Sequence, residues 1–203
     1  MQALRAEGPW EIGALLTTMN DQAARVAMHA VRLELLEAQV RSAGLPLWKV
    51  SLPHRCSNEV YEQRFGEAVA RATASGFIHI AFGDLFLENV RRYREERLAG
   101  TGLHPVFPLW HQPTDRLARE MVTAGLRATL TSVDPRVLHR SFAGRAFDSA
   151  LLEALPATVD PCGERGEFHT FAHVGPMFEH DLAVELGEIV ERDGFVFADV
   201  LAA

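Results

Sequence analysis

The chain has 203 residues, of which 48% are hydrophobic and 23% charged, a composition typical of ordinary globular domains. Its formal net charge of −7 does not provide the basic surface that non-specific nucleic-acid binding needs, so no nucleic-acid partner is expected. No apolar run approaches the roughly 18 residues of a membrane span, which predicts no membrane partner and a cytoplasmic location.

The chain is poor in lysine and in cysteine. Lys49 is the one lysine among 20 basic residues, so contacts to phosphate must come from arginines, backbone N–H groups or Lys49 itself. The two cysteines, Cys56 and Cys162, are too few for a disulfide framework, and we expect both to be reduced thiols.

Strand-like and helix-like segments alternate along the first two thirds of the chain. Residues 1–7 have the pattern of a helix end that lacks its beginning. Helical spacing follows at 28–43, and Ser57 and Thr114 are predicted helix N-caps. Apolar runs predict strands over four segments, 11–19, 46–52, 77–83 and 127–133. This alternation predicts a parallel sheet with right-handed crossovers.

Residues 103–110 contain two prolines, which predicts an extended segment that is not a central strand.

The alternation of strands and helices ends at about residue 135. Residues 136–203 are predicted to form a small C-terminal α+β subdomain, with a short helix at 183–190 and a strand at 195–201. The sequence therefore divides into an α/β domain over 1–135 and this subdomain.

One strand is followed directly by a highly charged helix. Gly83 and Asp84 end the strand, and Glu88 and Arg91 lie in the helix. Ligands of open α/β sheets bind beyond the carboxyl ends of the strands, so Asp84 is a candidate site residue, and Asp134 ends another strand in the same way. The alternatives are a solvated helix with i,i+4 Glu–Arg pairs and aspartates that only cap loops.

A Gly-rich acidic loop lies near the C-terminus, in the segment VDPCGERGEFHTF at 159–171. Glu164 and Glu167 flank Arg165-Gly166, and the glycines allow the backbone to approach a ligand closely. Two carboxylates at this spacing can hold an amine or a cation, or transfer protons. The alternative is a polar hairpin.

Metal and thiol chemistry find little support in the sequence. His169 and His173 lie in an extended run, and neither an HExxH helix nor a paired CxxC is present, so no metal site of the protein's own is predicted. Cys162 could act as a nucleophile with His169, but only Arg165 or Arg145 is available to lower its pKa.

Several segments, spanning nearly the whole chain in order, resemble the diphthine–ammonia ligase (diphthamide synthase) family of PP-loop ATP pyrophosphatases. They are ALLTTMN with VAMHAVRLELLEAQ, CSNEVYEQR, FGDLFLENVRRYREERLAGTGL, FPLW, SVDPRVL with FAGR, and VDPCGERGEFHTF. The resemblance implies a parallel, doubly wound sheet of the adenine nucleotide alpha hydrolase type. It makes 1–135 a nucleotide-binding domain and 136–203 an acceptor-substrate subdomain.

The resemblance also implies an activity. Family members use ATP, with Mg²⁺, to adenylate a carboxylate, release pyrophosphate, and form an amide when ammonia displaces AMP. The implied nucleotide-binding residues are Leu16, Thr17, Thr18, Gly83, Asp84, Glu88 and Arg91, with Mg²⁺ expected near Asp84. The implied acceptor-binding residues are Cys162, Gly163, Glu164, Gly166, Glu167 and His169. Glu164, Glu167 and Asp84 are the catalytic candidates, and the carboxylate acceptor could be carried by a protein.

The chain departs from the family at its start, where it has neither the SGGKDS-type phosphate loop nor the strand before it. We therefore expect either a gap between the strands at 11–19 and 77–83 or a non-native direct pairing of the two, with exposed apolar residues lining that place, and we expect weak ATP binding. Two other functions stay open: a non-catalytic remnant that binds a nucleotide or a protein, and an adenine nucleotide hydrolase of unknown substrate. The arginine-rich composition resembles that of high-GC bacteria and leaves the acceptor unnamed.

Overall fold

The computed structural model describes residues 1–8, 10–21, 25–26, 29–53 and 56–203. Its strands form three separate sheets. In the first sheet, β1 (Leu15–Asn20) pairs parallel with β3 (Leu47–Leu52) and antiparallel with the short β2 (Arg25–Val26). In the second sheet, β4 (His79–Ala81) pairs parallel with β5 (His104–Val106). The parallel pairing predicted for the strands at 11–19 and 46–52 is therefore confirmed. The prediction that the strand at 77–83 belongs to the same sheet is wrong, because its parallel partner is β5 in a separate sheet.

Helices connect the strands as the alternation predicts. They are α1 (Gln2–Glu7), α2 (Leu33–Ser42), α3 (Asn58–Ala74), α4 (Glu88–Leu98), α5 (Thr114–Thr123) and α6 (Ser149–Ala154). The predicted cap of α3 is confirmed, because the Ser57 hydroxyl accepts a hydrogen bond from Val60 N at 3.4 Å. The predicted cap of α5 is wrong: Pro113 holds that position, and the Thr114 hydroxyl donates to Asp160 instead.

The two N-terminal sheets are separated by a cavity of about 310 Å³. Its apolar lining includes Leu15 and Leu16 of β1 and Ile80 and Phe82 from the β4 region. Within the described part of the chain, β1 and β4 are not hydrogen-bonded to each other, and no other strand lies between them and joins them. The gap predicted between these strands is confirmed, and it is lined by the apolar residues that were expected.

The C-terminal sheet is antiparallel and has the order β7-β6-β9-β8. Its strands are β6 (Arg127–Val133), β7 (Phe168–Val174), β8 (Val184–Arg192) and β9 (Phe195–Ala202). The prediction that residues 127–133 join the parallel sheet is wrong, because β6 pairs antiparallel with both β7 and β9. A strand buried on both faces gives the same apolar run in either type of sheet.

Residues 183–190 also differ from the expectation, since they belong to strand β8 and not to a helix. β8 and β9 form a hairpin whose two-residue loop is Asp193-Gly194, with φ angles of 52° and 80°. Asp-Gly is a preferred dipeptide for the type I′ turn, which needs positive φ at both positions. This dipeptide is the sequence signal that could have identified the hairpin.

Helix α2 lies between the first sheet and the C-terminal sheet. Leu36 and Val40 pack with Met19 of β1, whereas Leu35 packs with Phe171 and Val200 of the C-terminal sheet. The same contact includes an ion pair, in which Asp199 of β9 accepts hydrogen bonds from Arg25 and Arg32. α5, α6 and the residues between β6 and β7 pack against the C-terminal sheet in a second, larger cluster.

Candidate functional site

Two loops that the sequence singled out meet in the structure. One loop, residues 83–87, joins β4 to α4, and the other, residues 160–167, precedes β7. The Glu164 carboxylate accepts a hydrogen bond of 2.7 Å from Leu85 N, and Leu85 O accepts one of 2.7 Å from His111 N. We call residues 83–88 and 160–167 the two-loop site; it contains the catalytic candidates Asp84, Glu164 and Glu167.

Glu164 has the chemical environment of a proton-transfer group. Burial raises the pKa of its carboxyl, and the nearby charges of Asp84 and Asp160 act in the same direction. Hydrogen bonds from the backbone N–H groups of Leu85 and Phe86 oppose this increase. Its side chain is only partly buried, so it combines a raised pKa with access to solvent.

Asp84 is held in place by an arginine of the charged helix. The Asp84 carboxylate accepts hydrogen bonds from Arg94 Nε at 2.6 Å and from Arg94 Nη2 at 3.1 Å. The Arg94 guanidinium also lies over the Phe82 ring, 4.2 Å from its centroid. This bidentate pair balances the charge of Asp84 and fixes the carboxylate at the end of β4.

Glu167 lies behind the loop surface and shapes the loop. Its side chain is buried, and its two carboxylate oxygens accept hydrogen bonds from the backbone N–H groups of Asp160 at 3.0 Å and Arg165 at 2.9 Å. Gly163 adopts φ +68°, and a Cβ there would lie 2.7 Å from Phe168 O. Glycine is therefore required at this turn.

Of the remaining acceptor candidates, Cys162 and Gly166 lie in this loop, whereas His169 lies in β7. Burial, followed by the charges of Asp160 and Glu164, raises the pKa of the Cys162 thiol to about 12. A thiol that stays protonated at neutral pH makes a poor nucleophile, so the alternative of Cys162 as a nucleophile is not supported. The His169 ring packs 4.4 Å from the ring of His29. Burial and the proximity of His29 lower the pKa of His169 to about 4.

The nucleotide-binding candidates lie along the cavity and the charged helix. Leu16 lines the cavity together with Phe82, the neighbour of Gly83. Thr17 and Thr18 are partly exposed on β1 and are not among the lining residues. The structure thus brings Leu16 and the Gly83 region to one cavity.

Aromatic residues after β5 add a feature that sequence reasoning missed. The Arg91 guanidinium lies 4.8 Å from the Phe107 ring centroid and 4.7 Å from that of Trp110. Glu88 Oε1 lies 3.5 Å from His111 Nε2, and Arg91 pairs with Glu95. Since Phe107 and Trp110 belong to the segment FPLW quoted above, that motif was the available signal.

Asp134 does not share a sheet edge with Asp84, because β6 and β4 belong to different sheets. The Asp134 carboxylate binds Arg136, and hydrogen bonding from Arg136 lowers the pKa of Asp134. Its backbone N donates to Glu167 O at 2.9 Å. The prediction that Asp84 and Asp134 lie at one edge of the same sheet is therefore wrong, although Asp134 contacts the second loop.

No group of three or more side chains suited to metal binding occurs among the described residues. Mg²⁺ in nucleotide enzymes is held by one or two carboxylates, with phosphates and water completing the octahedron. Asp84 is a carboxylate of this kind, and both of its oxygens accept hydrogen bonds from Arg94 in the structure. In the described part of the chain, no helix is long and apolar enough to cross a membrane.

Comparison with known proteins identifies relatives of one kind. Residues 113–199 match the family described as the diphthamide synthase C-terminal domain. The diphthine–ammonia ligase of Rattus norvegicus is 25% identical over 189 residues, which cover 90% of this chain and 70% of the rat protein. The Homo sapiens enzyme is 29% identical over 120 residues, covering 56% of this chain and 45% of that one.

The diphthine–ammonia ligase of Schizosaccharomyces pombe is 30% identical over 111 residues, 52% of this chain and 18% of the yeast protein. The chain thus spans less than half of the human and yeast relatives that it matches. The two-loop site includes residues on both sides of residue 113, where the matched C-terminal domain begins.

Proposed function

Because residues 113–199 match the diphthamide synthase C-terminal domain and the chain is similar to diphthine–ammonia ligases, we propose that it takes part in ATP-dependent amide formation from a carboxylate and ammonia. The acceptor is a carboxylate, free or on a protein, and the required partners are ATP with Mg²⁺ and ammonia. We further propose that the chain folds as a nucleotide-binding part of the adenine nucleotide alpha hydrolase type and a C-terminal acceptor part. The antiparallel sheet contains β6, so in this proposal the acceptor part begins near residue 113 and not at 136.

One observation carries this proposal: the hydrogen bond between Glu164 and Leu85 N. It joins the loop after β4, which holds the nucleotide candidates, to the Gly-rich loop, which holds the acceptor candidates. A ligase needs both substrates at one place, since the activated carboxylate must meet ammonia before water. A surface hairpin unrelated to the nucleotide region would not need this contact.

The chemistry divides into two displacements. ATP supplies the AMP group: a carboxylate oxygen of the acceptor bonds to the α-phosphorus as pyrophosphate leaves, and ammonia nitrogen then bonds to the acyl carbon as AMP leaves. In this proposal Glu164, with its raised pKa, accepts the proton that the attacking nitrogen loses. Glu167 keeps the loop in shape through its bonds to Asp160 and Arg165.

Asp84 would hold Mg²⁺, and its present partner Arg94 would then be free to pair with phosphate oxygens. The adenosine part of ATP would be contacted by Leu16, Thr17, Thr18 and Gly83. Glu88 and Arg91 would lie near the nucleotide, on the solvent side of the site. Cys162, Gly163, Gly166 and His169 would lie on the acceptor side.

A second candidate is a module that binds a nucleotide or a protein without catalysis. It is favoured by the pairing of the acidic groups, since Asp84 is bound by Arg94 and Glu167 by loop N–H groups. The 203 residues also contain no SGGKDS-type loop to bind phosphates. The two candidates differ in whether the two-loop site, once ATP is bound, turns it over.

The test measures AMP and pyrophosphate released from ATP in the presence of Mg²⁺ and ammonium. It compares the 203-residue chain with a fusion in which a strand–SGGKDS–helix segment from a relative precedes it. We expect release from the fusion, reduced by about 10²–10⁴-fold in Glu164→Gln and unchanged in the control Glu153→Gln on the exposed face of α6. If the Glu164→Gln fusion releases AMP and pyrophosphate as fast as the unmodified fusion, the ligase proposal is refuted. If the fusion binds ATP and releases neither product, the non-catalytic module is supported.

A further inference from the structure

The outer strand of the C-terminal sheet, β8, has an exposed apolar edge. β8 is nine residues long and ends the strand order β7-β6-β9-β8, so among the described strands only β9 pairs with it. Leu186, Ile189 and Val190 are 52%, 45% and 42% exposed. Edge strands of this length offer a row of free N–H and C=O groups that another strand can pair with.

The apolar residues on one side of β8 continue the core face of the sheet. Ile189 pairs in register with Ala198, and Leu186 with Val200, and both of these β9 residues are buried. Directly paired residues of antiparallel strands lie on the same face. The core face therefore extends past its covered part and ends on two exposed side chains of β8.

Three of the four charged residues of β8 are glutamates. Glu185, Glu188 and Glu191 are exposed along the strand, and within the part of the chain that the structure describes Glu185 and Glu188 form no ion pair. Glu191 lies 3.9 Å from Arg140, and Arg192 is 3.8 Å from Asp193 in the adjoining turn. The edge is thus acidic as well as apolar.

This charge pattern disfavours a second copy of the chain as the occupant. Antiparallel pairing of two β8 strands centred on Glu188 would place Glu188 opposite its own copy. Like charges directly opposite each other destabilise a strand pair. A basic strand would convert the same positions into attractive pairs.

We propose that β8 is a docking edge for an extended segment of a partner protein in which apolar and basic residues alternate. The segment runs antiparallel to β8 and extends the sheet by one strand through backbone hydrogen bonds. Its apolar side chains cover Leu186 and Ile189, and its lysines or arginines face Glu185 and Glu188. The shift of register between Leu186 and Ile189 gives the edge a local irregularity, which restricts the alignments that fit.

The experiment uses the full chain and a fluorescent peptide of alternating lysine and valine as the probe. The comparison peptides replace lysine with glutamate, or place a proline at the centre. We expect anisotropy to report binding of the lysine peptide at least about tenfold tighter than either comparison peptide. The double variant Glu185→Lys with Glu188→Lys should reverse the preference, so that the glutamate peptide binds more tightly.

The matched control is Glu96→Lys with Glu153→Lys, two exposed acids on helices α4 and α6. It makes the same change in net charge and should leave the preference unmodified. Equal loss of binding in the control, or equal binding of the proline peptide, would show general electrostatic attraction and overturn the proposal. A dimer of the unmodified chain in sedimentation that Ile189→Lys abolishes would also overturn it, because the occupant would then be a second copy.

Discussion

The C-terminal sheet and the N-terminal sheets of this protein differ in how completely they close. In the C-terminal sheet, Leu130 and Val196 are fully buried. In the N-terminal region, Leu16 is 37% exposed beside a cavity that separates two parallel pairs of strands, and Ile78, just before β4, is 62% exposed. The C-terminal sheet therefore shares one large core, whereas the two N-terminal sheets have smaller, separate clusters, one around Leu36 and one around Leu98.

This difference predicts where the folding free energy is concentrated. Replacing Leu130 by alanine should lower the free energy of unfolding by about 2–5 kcal/mol, because the residue has no exposed surface and a cavity would be left. Urea denaturation followed by circular dichroism measures the change. A loss as small as that of a surface substitution would show that the C-terminal sheet is not the more stable region.

The two glutamates of the Gly-rich loop should differ in stability as they differ in burial. Glu167→Gln should cost about 1–3 kcal/mol, since glutamine offers one acceptor oxygen where two backbone N–H groups now bind. Glu164→Gln keeps an acceptor for Leu85 N and should cost less than about 1 kcal/mol. Thermal unfolding of the two variants side by side measures this, and equal destabilisation would contradict the assignment of Glu167 as the shaping residue.

The contact between the two regions should depend on pH through Asp199. Burial alone would raise the pKa of this carboxyl, but hydrogen bonds from Arg32 and Arg25 outweigh burial and lower the pKa to about 2. Because the pKa is lower in the folded state, ionised Asp199 stabilises the fold. This contribution is fully present above the unfolded-state pKa near 3.8 and is lost as the pH falls toward 2. After allowance for solvent screening we expect about 1–2 kcal/mol from this group.

Asp199→Asn should therefore be less stable than the unmodified chain at neutral pH, and the difference should shrink between pH 4 and pH 2. Chemical denaturation at a series of pH values measures it. Asp193→Asn, an exposed aspartate in the β8–β9 turn, is the control. A difference that stays constant down to pH 2 would mean that the Arg25 and Arg32 pairs do not determine the pKa of Asp199.

The sequence predicted local elements and the gap better than it predicted sheet membership. Ser57 as a cap and the strands near 46–52 and 77–83 follow from local composition, and the structure has them. The partners of residues 127–133 depend on contacts with residues more than thirty positions away, and a buried strand has the same pattern in both sheet types. The helix predicted at 183–190 is wrong, because a register shift between Leu186 and Ile189 interrupts the apolar alternation that would identify β8 as a strand.

The site shows the same limit. The types and spacing of Asp84, Glu164 and Glu167 identified them as candidates, but their partners could not be read from the sequence. Arg94 binds Asp84 across ten positions, and Leu85 N binds Glu164 across seventy-nine. Glu164 is held by that distant contact, whereas Glu167 is held by backbone N–H groups within seven positions of it.

The smallest expected effect lies at the cavity itself. Leu16→Ala should change the free energy of unfolding by about 1 kcal/mol or less, because the side chain already borders open space. The same substitution at Leu130 is the internal comparison, since both remove the same atoms. A cost at Leu16 that equals the cost at Leu130 would mean that the gap is filled in solution, by rearrangement of β1 and β4 or by a bound molecule. A cost near zero, with the larger one at Leu130, would support an open gap in an otherwise folded chain.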